Sequence, residues 1–109
     1  VVIDGVRLLP TPGHTPHHVS VLVESGGRSA VITGDAAHHP CQLAHLDWGS
    51  TSDFDARQAR ASRSKIVERF AGTEALIIGS HFADPVAGRL RRQDGAICLA
   101  PAAGAAGAI

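Results

Sequence analysis

The stretch Thr11-Pro12-Gly13-His14-Thr15-Pro16-His17-His18 sets three histidines in a turn built from two prolines and a glycine, directly after the apolar run Val6-Arg7-Leu8-Leu9. Proline fixes φ and glycine opens conformations closed to other residues, so such a turn aims its imidazoles at a fixed place. The arrangement returns twice downstream. Ala30-Val31-Ile32-Thr33-Gly34-Asp35 ends an apolar strand in an aspartate, and Ala75-Leu76-Ile77-Ile78-Gly79-Ser80-His81 ends another in a histidine. In sheets flanked by helices, ligands gather beyond the carboxyl ends of the strands, where side chains distant in sequence meet. His14, Asp35 and His81 are therefore the candidate metal ligands. Neutral imidazole nitrogen and carboxylate oxygen suit zinc, and also iron or manganese. The chemistry this donor set points to is metal-assisted hydrolysis.

Around these three points the chain reads as a meander of short strands and one long helix. Residues 1–3 and 6–9 form strands about an Asp4-Gly5 turn, and residues 10–13 stop the second of them. Residues 17–24 alternate as a strand, with Val19, Val21 and Val23 on one face and Ser20, Leu22 and Glu24 on the other. Gly26-Gly27 then turns the chain into a strand over 29–33. From 34 to 52 no helical or strand period persists, and this long loop carries His38, His39, His45 and Trp48. Ser52-Asp53-Phe54-Asp55 predicts a capping-box start, with Asp55 replacing the preferred Glu or Gln, for a helix reaching about Phe70. Ala56, Ala59, Arg63, Ile66, Val67 and Phe70 lie near one stripe of it, while Arg57, Arg60, Arg63 and Arg69 are expected on a solvated basic face. Residues 75–78 read as a buried strand, and residues 89–99 as a closing hairpin about Gln93-Asp94-Gly95. The domain is drawn over 1–99, with 100–109 as a low-complexity Ala/Gly tail.

Composition bounds the rest. A chain of 109 residues makes at most one small domain. Ten basic and ten acidic residues cancel, which removes the electrostatic footprint of a nucleic-acid binder. Cys41 and Cys98 lack the spacing of a disulfide framework or zinc knuckle and read as free thiols. The apolar runs fall far short of the ~20 residues of a spanning helix, and no export signal is visible, so no membrane partner and a cytoplasmic location are expected.

The Thr11–His18 turn, the Gly34-Asp35 pair and Gly79-Ser80-His81-Phe82 together resemble the C-terminal half of the metallo-β-lactamase superfamily, over about residues 1–99. The long loop after Gly34-Asp35, the Phe54-Asp55 helix start and His81-Phe82 followed by Asp84-Pro85 look most like the lactonase and organophosphate-hydrolase branch. The resemblance implies an αββα sandwich of α/β or α+β class, of which this chain supplies one mixed sheet and one long outer helix. It implies two divalent ions, zinc foremost, with His14 on the first metal, Asp35 as the bridge and His81 on the second. His18 would stand behind the ligands. His38 takes the position, three residues past the bridging aspartate, where the family's lactonases place a tyrosine that polarises the carbonyl or protonates the leaving group. The implied substrate is a small molecule with a lactone, ester or phosphotriester bond.

The family's His-x-His-x-Asp-His run does not occur in these residues. A catalytic zinc takes three protein ligands besides its water, whereas each metal here would keep one histidine and a shared aspartate. The expectation is a portion of a longer protein, inactive as the isolated chain. Two alternatives remain at this point: a mononuclear iron oxygenase of sulfur compounds on the same scaffold, and a non-catalytic metal- or partner-binding fragment.

Overall fold

The computed structural model describes residues 3–50, 53–82 and 86–101. Six strands form one sheet in the order β1-β2-β3-β4-β5-β6: β1 (Val6–Pro10), β2 (Val19–Ser25), β3 (Arg28–Ile32), β4 (Leu76–Ile78), β5 (Ala87–Gln93) and β6 (Ala96–Pro101). Every neighbouring pair is antiparallel except β3 and β4, which run parallel. Parallel neighbours need a crossover, and here it carries the 15-residue helix Ala56–Phe70. Ile3 makes an isolated bridge to Val6 across the Asp4-Gly5 turn, while residues 1 and 2 of the expected first strand lie outside the described residues. β6 continues through Ala100 and Pro101, and the rest of the expected tail, 102–109, also lies outside them.

This topology decides where the motifs meet. β1 and β3 are both antiparallel to β2, and β4 is parallel to β3, so β1, β3 and β4 point the same way. Their carboxyl ends therefore share one edge of the sheet, and His14, Asp35 and His81 each follow one of those ends.

Two helices lie between β3 and β4: a single turn, α1 (Cys41–Ala44), and the long α2 (Ala56–Phe70). Helix α2 packs against the sheet through Ala59, Ser62, Arg63, Ile66, Val67 and Phe70. Together with Leu22, Val31, Ile77 and Leu90 of the strands, Ile66, Val67 and Phe70 make one core cluster. Burying each of these three helix side chains stabilises the fold by ~1.5–3 kcal/mol. On β2 it is the Ser20 and Leu22 face that enters this core; Val19 on the opposite face keeps 38% of its surface. That opposite face carries the cross-strand row Leu8, Val21, Ile32 and Ile78, with Leu8 and Ile32 still 49% and 37% exposed.

Three expectations are corrected. The helix cap is Asp55 itself, whose carboxylate accepts from the Gln58 amide at 3.0 Å, rather than a capping box with Ser52, which lies outside the described residues. Arg63 is not on a solvated face: it keeps 2% of its surface, because its position in the helical repeat falls between Ala59 and Val67 on the buried stripe. The 34–52 loop is also not structureless. It holds a 3-10 turn, Gly34–Ala36, and helix α1, each too short for a sequence period to register. The buried Gln42 side chain binds this loop together, accepting from the His38 and His39 amides at 2.6 and 3.3 Å and donating to the Trp48 carbonyl at 2.9 Å. Cys41 and Cys98 are free thiols. No helix among the described residues is long and apolar enough to cross a membrane.

Candidate metal centre

The Thr11–His18 turn is held from several sides. A Cβ placed on Gly13, whose φ is +139°, would fall 2.1 Å from the Ala59 nitrogen, so only glycine lets the turn lie against the start of α2. Amides of Phe54 and Asp55 donate to the carbonyls of His14 and Gly13 at 3.1 and 2.8 Å, and the Ser62 hydroxyl donates to the Pro12 carbonyl at 2.7 Å. His14 is thereby fixed relative to α2 before any contact of its own ring is counted.

The His14 ring is oriented by Asp53. Its Nδ1 lies 3.2 Å from Asp53 Oδ1, and the Asp53 side chain is 3% exposed. A carboxylate can only accept, so Nδ1 is the donor in this contact and Nε2 is the ring nitrogen left for another partner. Nε2 lies on the Asp35 side of the ring, 3.5 Å from Oδ2. His81 approaches the other oxygen, with Nε2 2.5 Å from Asp35 Oδ1, and His38 Nε2 lies 3.9 Å from the same oxygen. The His38 ring sits between the other two, its centroid 5.2 Å from that of His14 and 5.0 Å from that of His81. Three imidazoles thus surround one carboxylate. The hydrogen bond from His81, with the nearby rings of His14, His81 and His38, holds the Asp35 carboxyl below its ordinary pKa against the opposing effect of partial burial.

His18 stands one layer behind. Its Nε2 accepts the Asp35 amide at 2.9 Å, which requires the proton on Nδ1. Nδ1 lies 2.9 Å from the Thr11 hydroxyl and 3.2 Å from the Thr11 carbonyl. The Thr11 hydroxyl meets that of Ser20 at 2.9 Å, and Ser20 donates to the Thr33 carbonyl at 3.1 Å. The chain of bonds is directional and ends on the backbone that precedes Asp35. Gly34, at φ +57°, makes room for it: a Cβ there would lie 2.9 Å from His18 Nε2.

One donor atom each from His14, Asp35 and His38 lie within 4.8 Å of one another. Imidazole nitrogens gathered around a carboxylate make a donor set that fits a divalent cation such as zinc. Of the residues singled out in the sequence, His14, Asp35, His81, His38 and His18 all come together here. His17 and His39 are exposed, and His45 instead stacks on exposed Trp48 at 4.1 Å, with 19° between the ring planes. Asp53 and Arg63 were not foreseen. Arg63 lies with Nη1 3.9 Å from Asp53 Oδ2, and it donates from Nη2 to the Leu46 carbonyl at 2.8 Å. Arg63 stands out in the sequence as a charged residue within an apolar stripe, but nothing there names Asp53 as its counter-charge.

The metallo-β-lactamase superfamily model matches residues 1–81. No curated protein matches the chain. Among solved structures it is similar to AidC, a dizinc quorum-quenching lactonase in complex with the product N-hexanoyl-L-homoserine, at 27% identity and a TM-score of 0.82, over 94% of this chain and 35% of that one. It is similar to the β-lactamase-superfamily hydrolase AbOPH at 29% identity and a TM-score of 0.81, over 92% of this chain and 35% of the other. A third similar structure is an N-acyl homoserine lactone hydrolase with the product N-hexanoyl-L-homoserine bound at its catalytic metal centre, at 27% identity and a TM-score of 0.62, over 77% of this chain and 33% of that chain. The chain thus spans about a third of the length of the structures it matches.

Proposed function

This chain belongs to the metallo-β-lactamase superfamily, and from that premise we propose that it supplies one rim of a two-zinc hydrolase site that opens a lactone, or cleaves an ester or phosphotriester, of a small-molecule substrate. The observation that carries this reading is the convergence of His14, His38 and His81 on Asp35 from the ends of three strands that point the same way. In this reading His14, Asp35 and His81 would hold the ions, with Asp35 shared between them. Bound there, the ions would supply a lowered pKa for a coordinated water and polarise the substrate's carbonyl or phosphoryl oxygen.

The residues of the chain do the remaining work. Asp35 holds a fixed negative charge between the imidazoles, with its backbone anchored by His18. His38 reaches the same rim from the loop that Gln42 clamps, and its ring can hydrogen-bond the reacting oxygen or hand a proton to the leaving group. Lactones are the favoured class because two of the similar structures hold acyl-homoserine molecules.

The test uses the protein that carries this chain, supplied with zinc, and follows proton release during hydrolysis of N-hexanoyl-homoserine lactone, with paraoxon as the phosphotriester arm. Asp35→Asn is expected to lose zinc and activity together. His38→Ala is expected to lower turnover by about 100-fold with the zinc content intact. Hydrolysis of neither substrate class with zinc present, or turnover indifferent to Asp35→Asn, contradicts the proposal.

A further inference from the structure

Behind His14 lies a buried ion pair. The side chain of Asp53 is 3% exposed and that of Arg63 2%, and between them they remove two charges from water. Such a pair costs desolvation that hydrophobic residues of the same size would avoid, so its position calls for a role beyond stability. Its contacts are asymmetric. Asp53 Oδ2 takes the Ser50 amide at 3.1 Å and faces Arg63 Nη1 at 3.9 Å, so two obligate donors claim that oxygen. Oδ1 faces the His14 ring, at 3.2 Å from Nδ1. Arg63 in turn is anchored by the Leu46 carbonyl, while its Nε has no partner among the described residues.

We propose that Asp53, held in register by Arg63, is the positioning residue that sets the tautomer and ring orientation of His14, keeping the proton on Nδ1 and leaving Nε2, on the Asp35 side of the ring, to bind a metal. The inference rests on the reading of His14 as a metal ligand for its consequence, but not for its geometry. A ligating imidazole needs its other nitrogen fixed by an acceptor, and loss of that acceptor weakens metal binding by about 10- to 100-fold. Among the described residues, the acceptor at His14 Nδ1 is Asp53.

The asymmetry makes the isosteric variant informative. In Asp53→Asn the amide oxygen must stay on the Ser50 amide and Arg63, because both are donors. The amide NH2 is then turned toward His14. Nδ1 can only accept from it, so the ring proton moves to Nε2, the nitrogen that should face the metal. Shape and packing are unchanged, while the tautomer is reversed.

The experiment is 15N NMR of the imidazoles in the full chain, taken at a mildly alkaline pH where the His14 signals are those of the neutral ring, first metal-free and then titrated with zinc. Wild type is expected to show His14 protonated at Nδ1. Asp53→Asn is expected to show it protonated at Nε2 and to bind zinc about 10- to 100-fold more weakly, with the His18 signals unmoved as the control for folding. His14 protonated at Nε2 in the wild type overturns the assignment without recourse to any variant. So does an Asp53→Asn chain with the His14 tautomer and zinc affinity of the wild type. If the wild type takes up no zinc but its His14 tautomer reverses with Asp53→Asn, the metal reading falls and the assignment of Asp53 stands.

Discussion

At Asp35 one carboxylate is met by three imidazoles, and a fourth, His18, holds its backbone from behind. The contact of His18 with the Asp35 amide depends on Gly34, which has a left-handed backbone and no side chain to obstruct the ring. Gly34→Ala brings two penalties: a left-handed conformation costs an ordinary residue about 1–2 kcal/mol, and the new Cβ must displace His18. Chemical denaturation of Gly34→Ala is expected to show a loss of at least about 1 kcal/mol relative to wild type, accompanied by weaker zinc binding. Undiminished stability and affinity would mean that the His18 bridge is not what positions Asp35. Asp53 shows what sequence cannot supply at this scale. It lies 39 residues from His14, with no periodic relation to it, and only the folded turn reveals the contact.

At the level of elements, the strands and the long helix were legible because each carries a local signal. Alternating or wholly apolar runs bounded by Gly, Pro and Asp mark the strands, and the stripe from Ala59 to Phe70 marks α2. The ends of elements were read less well. The sequence from Ser52 to Asp55 has the pattern of a capping box, whereas the Asp55 side chain provides the cap. Asp55→Ala is expected to cost about 0.5–2 kcal/mol in thermal or denaturant unfolding, the ordinary worth of such a cap. Because the Phe54 and Asp55 amides also hold the carbonyls of His14 and Gly13, fraying of this helix end should loosen the ligand turn as well. A stability loss below about 0.3 kcal/mol would mean that the backbone contacts alone hold the helix start. The loop between the 3-10 turn and α2 was opaque for a physical reason. Its order comes from Gln42 bonding to three separate backbone groups, a device that leaves no repeat in the sequence.

For the whole molecule, the direction of the strands matters more than any single motif. Two antiparallel steps and one parallel step bring the ends of β1, β3 and β4 to one edge, and a polar cluster there follows from three separate sequence motifs. The sheet carries α2 on one face and a row of half-exposed apolar side chains on the other, as one layer of a sandwich does. The histidines and aspartate at the strand ends stand out in the sequence because glycine, proline and the strand boundaries announce their positions. The Arg63–Asp53 support could not, because a charged residue on a buried stripe acquires its meaning only from a partner brought in by the fold. The most direct test of a metal centre at this edge is X-ray absorption at the zinc edge of the zinc-loaded chain, before and after the combined replacement His14→Ala, Asp35→Ala and His81→Ala. The expected result is a shell of nitrogen and oxygen neighbours at about 2.0–2.2 Å with imidazole scattering, which the triple replacement abolishes. An unchanged zinc spectrum and stoichiometry in the triple variant would contradict it.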